Sequence, residues 1–130
     1  MAGNCVHNDD EAQMFTDMGL PVFSFSPLGA GLFAGNFIKL KKYAVTDEGI
    51  LRAYFNDENR KKFERAGHVA FRRGTDVPSV ALSYITSQNL LIAPIIGPKT
   101  PDECRACLDA ARLRLSIPEL DYLSLRRNGI

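Results

Sequence analysis

The chain lacks the features that would point to a membrane, to secretion or to nucleic acid. No apolar run approaches the 18 or so residues of a membrane span. The amino end, residues 1–7, has neither the basic start nor the apolar core of a signal peptide. The formal net charge of +1 gives no reason to expect nucleic acid or an anionic membrane surface as a partner. We therefore expect neither kind of partner.

Cysteine is scarce as well. Three cysteines in a chain without a secretion signal predict reduced thiols and a cytoplasmic location. Two of them form the pair Cys104-x-x-Cys107, but a zinc site needs a second ligand pair, and none stands at a useful spacing. Packing of this pair in the core is the favoured interpretation, with zinc binding or thiol exchange as the alternatives. No metal site is predicted.

Two apolar runs, each ending in a glycine-containing loop, organise the chain. The first begins at Val22 and is predicted to be a short buried strand that stops at Ser26, because Pro27 cannot donate to a strand ladder. The second, residues 90–96, is predicted to be a buried parallel strand. Loops at the carboxyl ends of such strands are where α/β folds bind ligands, so both loops are candidate sites.

Helical periodicity predicts the elements around these strands. A short helix over residues 9–18 ends at Gly19. A second helix covers residues 60–71, and His68 on it is predicted to be a surface or packing residue. Capping signals begin two further helices at Thr100 and Ser116. The strongest amphipathic stripe lies on a helix that begins near residue 76, and it consists of Val77, Val80, Ala81, Tyr84 and Ile85.

Three blocks of the sequence resemble the aldo-keto reductase family. Residues 25–35 are similar to the family pattern aromatic-Ser-Pro-Leu-x-x-Gly-Leu-Leu-Thr-Gly. Residues 80–85 resemble its Ala-Leu-Ala-Trp/Tyr helix, and residues 94–103 resemble its Pro-Ile-x-Gly-Ala/Pro-Arg/Lys-Thr-x-x-Gln segment. The blocks occur in the family's order and at roughly its spacing, and the resemblance covers about residues 15–125.

The resemblance implies an α/β fold, a partial TIM (β/α)8 barrel that contains its seventh and eighth parallel strands and five or six flanking helices. The 130 residues suffice for one domain but not for a complete barrel of about 250 residues. A single truncated domain, 1–130, is therefore predicted, with a loose amino end (1–8), a helix, strand and phosphate loop (9–35), a variable loop (36–55) and the remaining helices and last strand (56–130).

Such a part of a barrel cannot close on itself. Its strands would keep open edges and its helices would leave apolar faces uncovered. We therefore expect a second chain that completes the barrel, a homo-oligomer or a rearranged fold.

The resemblance also implies an NADP(H) site in the two loops. Phe25 would stack on the nicotinamide, with burial as a core aromatic as the alternative. Lys99 and Thr100 would hold the 2′-phosphate at a helix amino terminus, which favours anions; the alternative is a capped helix with a solvated lysine. The remaining residues implied at the cofactor are Ser26, Pro27, Leu28, Gly29 and Gly31 in the first loop and Gly97 and Glu103 in the second.

The sequence departs from the family pattern near the adenine. Glu103 stands where the family has glutamine, and Ala106 and Cys107 replace a Glu-Asn pair. A carboxylate repels phosphate, and each lost adenine hydrogen bond removes about 0.5–1.5 kcal/mol, so reduced affinity is expected. Asn36 stands where a lysine is frequent. The basic cluster at residues 39–42 is predicted to be a solvated loop, with phosphate steering as the alternative.

By resemblance, the family reduces carbonyls with an Asp, a Tyr, a Lys and a His on its second to fourth strands, and this chain is expected to begin after all four. His7 and His68 have no matching context. No catalytic residue is predicted, because none of the four tyrosines stands in the catalytic motif: Tyr43, Tyr54, Tyr84 and Tyr122.

Two functions stay open. The chain is the NADP(H)-binding part of a reductase, acting on aldehydes or ketones only once the missing segment is supplied, or it is a non-enzymatic interaction module that assembles with another chain. The sequence alone does not decide between them.

Overall fold

A computed structural model describes residues 9–36, 49 and 53–130. The predicted loose amino end and the basic cluster at 39–42 lie outside these residues. Two strands and a π-helix of the described part occupy the regions Val22–Ser24 (β1), Ile92–Pro94 (β2) and Leu32–Asn36 (the π-helix). The helices are Asp9–Asp17 (α1), Asp57–Arg73 (α2), Val77–Thr86 (α3), Pro101–Arg112 (α4) and Ile117–Leu123 (α5). None of these helices is long and apolar enough to cross a membrane.

The two strands pair in parallel, as the predicted α/β fold requires. Val22 lies opposite Ile92, and Phe23 lies opposite Ala93. Within the described residues each strand has one neighbour, so each keeps one unpaired edge. Two parallel strands flanked by helices agree with the prediction of a partial α/β barrel.

The two faces of this sheet differ in burial. On one face Val22 is buried and Ile92 is half-buried. On the other face Phe23 is 65% exposed and Leu91 is 68% exposed. The prediction of two buried strands is therefore wrong for one face, because the helices cover the sheet from one side and no described residue forms a layer on the other. The ladder also ends earlier than predicted, at Ser24.

Helix α3 is the central element of the core. It packs against α2, α4, β2 and the π-helix. Its predicted stripe is confirmed, with Val80, Ala81 and Ile85 buried. Ser83 is buried too, and its Oγ lies 2.8 Å from the carbonyl oxygen of Ala110 on α4. Neighbours on several sides explain why more of α3 is buried than one stripe predicts.

The neighbouring helices supply the rest of the core. On α2 the predicted face is confirmed through Ala66 and Ala70, and the helix begins at an Asn56 cap whose side chain accepts the Asn59 N–H at 2.8 Å. On α4 the expected stripe is wrong at Leu108, which is 58% exposed. The other buried members of the cluster are Leu32, Phe33, Val69, Leu115, Tyr122 and Leu123.

Arginines of α2 hold the carboxyl-terminal segment. Arg65 donates to the carbonyl oxygen of Tyr122 at 2.6 Å, and its guanidinium lies 4.5 Å from the centre of the Tyr122 ring. Arg73 donates two hydrogen bonds, of 2.7 and 2.6 Å, to the carboxylate of Glu119. Contacts to a charged group are among the stronger hydrogen bonds in proteins, so these pairs fix α5 against α2.

Candidate functional site

Both predicted loops leave the same end of the sheet. The last ladder bond runs from the N–H of Ile95 to the carbonyl oxygen of Ser24, at 2.9 Å. Directly after these residues, β1 turns into the loop that contains Ser26 and β2 leads toward the loop that contains Lys99. Because adjacent parallel strands lie about 4.8 Å apart, the two loops begin as neighbours.

The first loop is a sequence of tight turns. Ser26, Gly29 and Ala30 have φ values of 50°, 58° and 53°, in the left-handed region, and Gly31 has a φ of 90°. The N–H of Gly29 donates to Ser26 O at 2.8 Å, and the N–H of Leu32 donates to Gly29 O at 3.0 Å. Turns of this kind orient backbone N–H groups into concave anion-binding surfaces. The two non-glycine residues bear a strain of about 1–2 kcal/mol each.

Buried side chains hold this loop in place while its aromatic ring faces solvent. Leu28 is half-buried against the core, and Leu32 and Phe33 are fully buried. Phe25 is 80% exposed. The alternative that Phe25 is a core aromatic is therefore wrong, and its ring is available to a ligand. The anchoring role of Phe33 was not predicted, although an apolar Leu-Phe pair that follows two glycines is a usable signal for it.

The second loop ends in a capped helix. Thr100 is the N-cap of α4, and its hydroxyl accepts the Glu103 N–H at 3.2 Å, as the capping signal predicts. The carboxylate of Glu103 reaches one residue further back and accepts the Lys99 N–H at 2.6 Å. A negative charge thus already interacts with a backbone donor that an incoming phosphate would need. Lys99 and Thr100 are exposed.

Nothing in the fold requires glycine at position 97. Gly97 has no positive φ, and a methyl group built on its Cα would meet no atom within 4 Å. A glycine that the fold does not need is compatible with close approach of a ligand to the backbone. Gly97 differs in this respect from Gly29 and Gly31, whose backbone conformations favour glycine.

The thiol pair of α4 is only half-buried. Cys104 and Cys107 are both free and intermediate in exposure. Burial raises the pKa of the Cys107 thiol, and the neighbouring Cys104 and Glu103 raise it further, so the thiolate that reacts or binds metal is disfavoured. Among residues 9–36 and 53–130, no group of three or more His, Cys, Asp and Glu side chains could hold a metal ion.

Other polar groups lie away from the two loops. His68 is exposed on α2, and its Nδ1 lies 3.0 Å from the hydroxyl of Tyr122. A depression of about 440 Å³ at the start of α2 contains none of the predicted cofactor residues; its lining consists of Phe55, Asn56, Asp57 and Arg60. Burial raises the pKa of Tyr84. These groups add no donor or acceptor to the loops.

Comparison with known proteins identifies the family. The family model described as the aldo/keto reductase family matches residues 4–124. An uncharacterized oxidoreductase of Bacillus subtilis (strain 168), YrpG, is 31% identical over 99 residues, which make up 76% of this chain and 29% of the relative. The chain thus spans less than a third of that relative's length. The matched range contains both loops, and the chain belongs to the aldo/keto reductase family.

Proposed function

We propose that the two loops form the cofactor half of a reductase site and bind NADP(H). The observation that carries this proposal is the parallel register, which directs both loops to one end of the sheet from adjacent strands. Ligands of open α/β sheets bind at this end, beyond the carboxyl termini of the strands. The aldo/keto reductase family generally uses NADP(H), which is the reason for choosing this dinucleotide.

Each loop has a separate task in this proposal. The turns from Ser26 to Gly31 offer N–H groups to the pyrophosphate, and the exposed ring of Phe25 offers a flat apolar surface to the nicotinamide. Lys99 and the amino terminus of α4 offer positive charge to the 2′-phosphate. NADPH supplies a hydride for carbonyl reduction, and the residues of this chain bind and orient the cofactor.

The fit is poorer at the adenine end. Because the Glu103 carboxylate accepts the Lys99 N–H, a phosphate dianion would have to approach an existing negative charge. The repulsion between two unit charges about 4 Å apart in water is about 1 kcal/mol, so binding by this chain should be weak. We propose that reduction of an aldehyde or ketone occurs only where another segment or chain supplies the proton donor.

Titration of NADPH fluorescence with the purified chain tests the proposal. The Lys99→Ala variant should raise the dissociation constant for NADPH about five- to tenfold, because one charged contact to phosphate is lost. Lys61→Ala is the matched control, since Lys61 is an exposed lysine on α2. NADH, which has no 2′-phosphate, should bind both variants equally. The absence of NADPH binding at millimolar concentration would remove the proposal.

The same titration has an expected gain of affinity. Glu103→Gln should lower the dissociation constant for NADPH about five- to tenfold, because the charge disappears while the amide oxygen can still accept the Lys99 N–H. Glu64→Gln, at an exposed residue of α2, is the matched control. An equal gain for NADH would show that the 2′-phosphate is not the group that Glu103 repels.

A second candidate function is a non-enzymatic interaction module. The observation in its favour is the apolar sheet face, on which Phe23 and Leu91 are both about two-thirds exposed. An exposed apolar patch of this kind marks a protein contact more often than a site of chemistry. The NADPH titration separates the two functions, because an interaction module would show no cofactor binding that depends on Lys99.

A further inference from the structure

The uncovered sheet face is the largest feature of the fold that cofactor binding leaves unexplained. In the parallel register, Phe23 and Ala93 lie opposite each other on this face. Leu91 and Ile95 stand two residues either side of Ala93 and share its face, and Phe25 continues the alternation of β1. The exposed fractions are 65% for Phe23, 80% for Phe25, 68% for Leu91 and 49% for Ile95.

Both charge and shape make this face suitable for contact with an identical face. The segments that carry the strands, residues 18–36 and 77–98, contain no charged residue, and the whole chain has a formal net charge of +1. Bringing two copies together therefore meets little repulsion. The large Phe23 ring stands beside the small Ala93, so one patch contains both a projection and a recess, as a two-fold symmetric contact needs.

The area is also sufficient for a weak dimer. Since an aromatic side chain presents about 150–250 Å² when fully exposed, the four large side chains leave roughly 450 Å² of apolar surface on each chain. Two copies would bury roughly 900 Å² from these side chains, and contacts at the rim would bring the total close to the roughly 1,000–1,200 Å² of small specific interfaces.

We propose that this apolar sheet face, formed by Phe23, Phe25, Leu91, Ala93 and Ile95, is a dimerisation surface whose occupant is a second copy of the chain. The two sheets pack face to face, with Phe23 of one copy against Ala93 of the other. This proposal does not depend on cofactor binding. Its test therefore uses Phe23, which is not one of the predicted cofactor contacts, so that either proposal can fail without the other.

Sedimentation velocity of the purified chain, at concentrations from about 1 to 200 µM, measures the equilibrium directly. The chain should dimerise with a dissociation constant of about 1–100 µM. Phe23→Ser should raise that constant at least about tenfold, since a central aromatic side chain is lost. The fold should persist in this variant, because Phe23 is 65% exposed, and circular dichroism checks this.

Phe71→Ser is the matched control. Phe71 is 87% exposed on α2, a helix that packs against α3 and α5, and the substitution is the same. It should leave the dimerisation constant within about twofold. A chain that stays monomeric at the highest concentration, or equal effects of the two substitutions, would overturn the proposal. So would a monomer that binds the separately expressed remainder of YrpG through this face, because a different chain would then be the occupant.

Discussion

Replacing Phe33 by alanine should lower the free energy of unfolding by about 3–5 kcal/mol, the largest effect expected of any single change here. Phe33 is fully buried in the π-helix, and its ring centre lies 6.1 Å from that of Phe63 at an interplanar angle of 44°. The substitution removes this contact and leaves a cavity beside α3. Urea denaturation followed by circular dichroism measures the loss.

The same residue connects stability to the candidate site. The N–H of Phe33 donates to Leu28 O at 3.0 Å, so the ring anchors the loop that contains Ser26 and Gly29. A loosened anchor should also weaken NADPH binding. Phe33→Leu, which keeps most of the volume, should cost about 1.5 kcal/mol or less, and provides a folded variant if Phe33→Ala does not fold.

Phe71→Ala is the comparison that gives the Phe33 result its meaning. Phe71 is 87% exposed, so the same deletion should change stability by about 0.5 kcal/mol or less. If the two variants lost equal stability, the packing of the π-helix against α2 and α3 would have no energetic role, and the anchoring of the first loop would need another explanation.

The contrast between Phe33 and Phe25 shows what the sequence could predict. Local signals predicted local features, among them the stripe of α3 and the Thr100 cap of α4, because periodicity and capping depend on neighbours in the chain. Which phenylalanine is buried depends on what covers it. Phe25 lies in a strand-like apolar run and is exposed, whereas Phe33 follows a glycine loop and is buried.

The same reasoning applies to the site. The family pattern predicted which residues occupy the two loops, and the parallel pairing brings these loops to one end of the sheet. The contact between Glu103 and the Lys99 N–H was only partly predicted, since a capping glutamate reaches back to the cap residue and here it reaches one residue further. The pair of Arg73 and Glu119, 46 residues apart, leaves no local signal.

Glu119 should make the stability of the chain depend on pH. The two hydrogen bonds from Arg73 lower the pKa of Glu119 from 4.5 to about 2, and donation from Ser116 lowers it further against the opposing effect of burial. A carboxyl group with a depressed folded-state pKa stabilises the fold above its unfolded-state pKa. That contribution is therefore complete above about pH 5 and is lost as the pH falls from 4.5 toward 2.

The size of this contribution follows from the shift and the exposure. A change in pKa from 4.5 to about 2 corresponds to about 3 kcal/mol. The side chain of Arg73 is 39% exposed and that of Glu119 is 12% exposed, so solvent screening reduces the expected value to about 1–2 kcal/mol. Glu119→Gln should lose this amount at pH 7, and its unfolding free energy should converge with that of the parent chain near pH 2–3.

Two further variants separate the charge from the geometry. Arg73→Lys keeps the positive charge but loses the paired donors, so it should lose about half of the contribution. Glu64→Gln, at an exposed position of α2, should leave the pH profile unchanged. A Glu119→Gln variant whose deficit stays constant from pH 7 to pH 2 would show that the loss comes from capping at Ser116 rather than from the ion pair. The join between α2 and α5 would then not depend on charge.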